Sequence, residues 1–151
     1  MSDLDSKWLT EQTLTIVALA ARNAQWFEVD QVIERVGERY GDRGAYSLAC
    51  SMAACIGFLD GYVQSRDGEF FALEVTSIAT GEHAQPEDLP GGGDLVAGMR
   101  FLTAWLNGDV PMTLTMFHTT PGPVFVGLVM LLGAADRDLT EQRELGEGKP
   151  S

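Results

Sequence analysis

Positive charge is scarce in this sequence. Among 151 residues, ten Lys and Arg face twenty-two Asp and Glu, a formal net charge of −12. A surface of that sign repels phosphate backbones and anionic headgroups, and it tolerates a basic protein partner. Cysteine is scarcer still. Cys50 and Cys55 are the only two, five apart in one expected helix and so about 140° apart around it. They do not pair with each other or share a metal, and two buried free thiols suit a reducing cytoplasm. Long apolar runs are missing as well. The longest uncharged one, Val124 to Ala135, has 12 residues, where a membrane span needs about 20. Met1 to Lys7 is polar and acidic and leads into no cleavable apolar core. We therefore expect a cytoplasmic protein with no membrane association and no nucleic-acid partner.

The charges are also unevenly placed. Residues 91–135 hold only Asp94, Arg100 and Asp109, whereas the sixteen residues after them hold five acids and three bases. A monomer's surface segment would carry more charge than 91–135 does. The length fits a single domain with a real core. We expect one compact helical domain over 1–135 and a charged, fraying tail over 136–151.

What is there reads as helix. The spacing predicts helices over about 6–23, 27–40, 44–59, 94–106, 110–118 and 123–135. Asp5 or Ser6 caps the first, and Asn23 marks its end. In the second, Val29, Val32, Ile33, Val36 and Tyr40 share one face. Asp30, Glu34 and Glu38 form an acidic stripe beside Arg35 and Arg39, and Gly41 ends the helix. The third carries no charge before Asp60 and is apolar all round, which predicts burial. The fourth spreads its apolar residues over about 220° at 100° per residue, which calls for burial on two sides. Asp94 is placed as its cap and Asn107-Gly108 as its stop. Pro111 falls in the first turn of the fifth.

One segment breaks the helical pattern. Asp67-Gly68 stands between Tyr62–Arg66 and Glu69–Val75, a two-residue hairpin signal that would set Arg66 opposite Glu69. The fold class expected is therefore mainly α, about six helices in one domain, with a small β-hairpin near residues 62–75. That order over residues 6–75, three helices then a hairpin, resembles a winged helix-turn-helix domain. The resemblance implies a transcriptional regulator, but the chemistry opposes DNA reading. The third helix offers only Ser47 and Ser51 as polar groups in its body and the hairpin offers one Arg, where base and phosphate contacts call for Arg, Lys, Asn or Gln.

Catalytic patterns are sparse. His83 sits in the loop 81–93 beside Glu82, near Glu87 and Asp88, without a recognised metal-ligand spacing. His118 falls at a helix C-terminus, where a capping role is the default. Pro90-Gly91-Gly92-Gly93 precedes a helix, but no Walker Lys follows and Asp94 would oppose a phosphate, so a hinge is the better reading. No catalytic, cofactor or metal residues are assigned. We expect a non-enzymatic interaction or accessory protein that self-associates as a homodimer, with Phe101, Trp105, Phe125 and Val129 at the interface. A two-fold dimer is the commonest way to cover such a charge-poor segment. A ligand binder or small enzyme with a pocket between helices is the competing class.

Overall fold

The computed structural model describes residues 4–60 and 92–147, and side chains within 4–59 and 93–137. These residues form five helices: α1 (Ser6–Ala21), α2 (Trp26–Asp60), α3 (Gly92–Leu106), α4 (Val110–Thr119) and α5 (Pro121–Glu147). Two compact units contain them: residues 1–62 with 132–151, and residues 63–131. The helix α5 supplies residues to both.

In the first unit, α1 begins where Asp5 accepts a hydrogen bond from the Trp8 N–H at 3.0 Å, satisfying one of the donors a helix start leaves open. It ends in a Schellman arrangement. Asn23 takes φ 55°, its N–H donates to the Ala20 carbonyl, and the Ala24 N–H reaches back to Leu19. Asn is the residue after Gly that tolerates this left-handed position. The α1 face formed by Leu9, Gln12, Thr13, Ile16 and Ala20 is buried. The Thr13 hydroxyl donates to the Leu9 carbonyl at 2.9 Å, and Gln12 accepts from the Arg35 guanidinium at 3.2 Å, so the buried polar atoms are paired.

The helix α2 packs against α1 and is bent at Gly41, whose φ 67° and ψ −154° interrupt the helix. Only glycine enters that region without strain. Val29, Val32 and Val36 are buried on the first half, with Ile33 and Tyr40 half-buried beside them, as the periodicity predicts. The second half buries Leu48, Ala49, Met52, Ala53 and Ile56. Its opposite face is open, with Ala54 exposed and Phe58 84% exposed, so this helix is not covered all round. The reason lies in the spacing. Leu48, Met52 and Ile56 cluster on one side, and Ser47, Ser51, Ala54 and Phe58 take the other. From α5, Leu132 and Ala135 are buried, and Gly133 lies close enough to α1 that a Cβ there would stand 3.3 Å from the Ala20 carbonyl oxygen.

A second set of contacts ties the start of α1 to α2. The Asp5 N–H donates to the Tyr40 phenolic oxygen at 3.0 Å, and the Asp5 carboxylate stands 3.8 Å from the Arg39 guanidinium. That guanidinium lies over the Trp8 ring at 4.4 Å and the Tyr40 ring at 5.2 Å. Trp8 meets Tyr40 edge-on at 5.8 Å. The ion pair is exposed and worth about 0–1 kcal/mol; the cation–π stacking adds about 0.5–1 kcal/mol.

In the second unit, α3 buries Leu95, Gly98, Met99, Phe101, Leu102, Ala104 and Leu106. At 100° per residue these positions span about 220°, so the wide burial read from the sequence holds. The helix starts at Gly92, which puts Asp94 in its first turn rather than at the cap. It stops at Gly108, φ 69°. The Gly108 N–H donates to Trp105 and the Asp109 N–H to Ala104, again a Schellman closure. Helix α3 packs on α4 and crosses α5 at two glycines. A Cβ at Gly127 would overlap the Asp94 carbonyl oxygen and stand 2.6 Å from the Gly98 nitrogen; one at Gly98 would stand 2.8 Å from the Leu128 nitrogen. The two backbones touch directly there.

Two expectations need correction. The fold is all-helical among the described residues, with no β-strand. The expected second and third helices are present as the two halves of α2, which meet at the non-helical Gly41, the residue expected to end the second. The hairpin proposed for 62–75 lies outside the described residues and is not retained. An isolated two-stranded hairpin is marginal in water, and no further strand is described that could support it. The winged helix-turn-helix resemblance needed that wing and goes with it. Finally, α5 continues through Glu147 instead of ending at Ala135. Among the described residues no single helix is long and apolar enough to cross a membrane; α4 and the start of α5 satisfy the test only as a pair bent by 112°.

Candidate interaction surface

The helix α4 is chemically unlike the rest of a chain with net charge −12. It contains no Asp, Glu, Lys or Arg. Asp109 caps it from outside, accepting from the Met112 N–H at 3.2 Å, and proline occupies its first turn. Thr113 and Phe117 turn inward and are buried; Phe117 meets Phe125 of α5 edge-on at 5.9 Å. The exposed side mixes apolar and uncharged polar residues: Val110 is 55% exposed, Met112 48% and Leu114 36%, and Pro111, Thr115, His118 and Thr119 are exposed as well. Val110, Leu114 and His118 follow one another at four-residue intervals and so lie within about 80° of each other, whereas Met112 lies about 160° round the helix from both Val110 and Leu114. The exposed threonines do little to make this face polar. Thr115 donates its hydroxyl to the Pro111 carbonyl at 2.9 Å and Thr119 to Thr115 at 2.7 Å, so their donor protons are used within the helix.

The residues expected at an interface are placed differently. Phe101 is fully buried and Phe125 is 5% exposed, whereas Trp105 and Val129 are half-buried. The charge-poor segment thus spends its aromatic rings inside the chain and shows Val110, Met112 and Leu114 outside. These were missed because a helix as short as α4 has few apolar positions, and its sequence alone does not say which row faces inward. The one available signal was the inward pair Thr113 and Phe117, four residues apart.

His118 lies exposed in the last turn of α4, its ring 6.0 Å from that of Phe117. His83 and its acidic neighbours Glu82, Glu87 and Asp88 lie outside the described residues, as do Pro90 and Gly91. Among the described residues no group of three or more His, Cys, Asp or Glu is placed to hold a metal ion. Cys50 and Cys55 are half-buried free thiols. Burial pushes both above the ordinary thiol value; for Cys50 a hydrogen bond with Tyr46 partly opposes that shift. A thiol held protonated is a slow nucleophile. On α2, Glu34 and Glu38 are exposed and Asp30 half-buried, so the acidic stripe is a mainly solvated face. Compared with known proteins, the chain matches no family model, no curated protein and no solved structure.

Proposed function

We propose that this chain is a non-enzymatic interaction or accessory protein that self-associates, and that the outward face of α4 is its contact surface. The observation that carries the reading is the exposed Val110 and Leu114 on one row of a helix without Asp, Glu, Lys or Arg. Electrostatics favours that face for a second copy. Two chains of net charge −12 repel each other, so they approach at least cost where charge is absent. A ten-residue helix is about 15 Å long, short for the ~800 Å² per partner of a standard stable interface. The association is therefore weak and concentration-dependent, in the range of transient complexes.

Light scattering coupled to gel filtration, run across the micromolar range, tests this. The apparent mass should climb from one chain toward two as concentration rises. Leu114→Glu, which places a carboxylate on an already exposed position, should hold the protein at the mass of one chain without lowering its melting temperature. A wild-type protein that stays monomeric at the highest concentration overturns the self-association reading. A Leu114→Glu variant that dimerises as well as wild type moves the contact off α4.

A further inference from the structure

We draw no further inference here: the strongest candidate, the charge-free open face on the second half of α2 where Ser47, Ser51, Ala54 and the exposed Phe58 follow one another at helical spacing, is a stripe of small residues with nothing in the structure to show what covers it.

Discussion

Replacing Gly127 with alanine should weaken the fold although alanine is the better helix former. The methyl group would overlap the Asp94 carbonyl oxygen and stand 2.6 and 2.7 Å from the Gly98 nitrogen and Cα. Comfortable contact between such atoms is about 3.5–4.0 Å, so α3 and α5 must separate by about 1 Å. All three obstructing atoms are backbone, so no side-chain rotamer can relieve the clash. Overpacking of this kind costs about 1–3 kcal/mol, against a helix-propensity gain of about 1 kcal/mol for alanine over glycine. The net expectation is a loss of about 0–2 kcal/mol, a fall in Tm of up to roughly 8 °C for a chain of this size. Gly37→Ala is the internal control. It sits within α2 with nothing inside 4 Å of the added methyl, so it should keep the propensity gain and raise Tm. Thermal and urea melts followed by far-ultraviolet circular dichroism read both. The double variant Gly98→Ala/Gly127→Ala should cost less than the sum of its parts, because one separation of the helices accommodates both methyls. If Gly127→Ala is stabilised as much as Gly37→Ala, the backbone-on-backbone crossing is wrong.

Other substitutions probe the ends of the helices and the thiols. Gly41→Ala should cost about 1–3 kcal/mol, since φ 67° with ψ −154° is closed to an L side chain; an unchanged urea midpoint would mean that α2 runs straight. Gly108→Ala should cost up to about 1 kcal/mol at the left-handed position after α3; Asn23→Gly should gain a few tenths of a kcal/mol at the equivalent position after α1, both read as shifts in urea midpoint. Asp5→Ala should lose about 1 kcal/mol of cap energy together with its contact to Arg39; Arg39→Ala should lose less, because the cap survives, and equal losses would contradict that division. Raised thiol values make Cys50 and Cys55 a source of alkaline instability. Below the ordinary thiol value of about 8.5 both states keep the proton and nothing changes. Above it the unfolded chain ionises first, so stability falls with rising pH, and Cys50→Ala/Cys55→Ala should flatten that slope above about pH 8.5.

The sequence was most informative where structure is local. Asp5 and Asp109 cap the helices that follow them, Asn23 and Gly108 take the left-handed turns, and Gly41 bends the chain at the expected residue. Each of these depends on a hydrogen bond or a dihedral within a few residues, and nothing distant is needed to decide it. The burial of Val29, Val32 and Val36 was also legible, because a charged face on the same helix leaves only one side to bury. The second half of α2 was not. Without charge anywhere on it, composition could not say that Phe58 points outward while Met52 and Ile56 point in.

The same limit explains why Phe101 and Phe125, expected at an interface, are enclosed instead. A lack of charge over residues 91–135 is equally compatible with buried and with exposed apolar side chains, and this protein contains both within that stretch. Phe101 and Leu102 are enclosed, while Val110 and Met112, only a few residues on, are open. The two are interleaved after the left-handed turn at Gly108: α4 turns Thr113 and Phe117 inward and leaves Val110 and Leu114 open, and α5 buries Val124, Phe125 and Leu128 again. Substitutions at enclosed and at open positions should therefore differ in kind. Phe101→Ala should destabilise by about 3–5 kcal/mol, as for a buried aromatic, and leave association of the remaining folded protein unchanged. Leu114→Glu should spare stability and remove association alone. A Leu114→Glu variant that unfolds along with Phe101→Ala would place α4 in the core and leave the chain without a free apolar face on that helix.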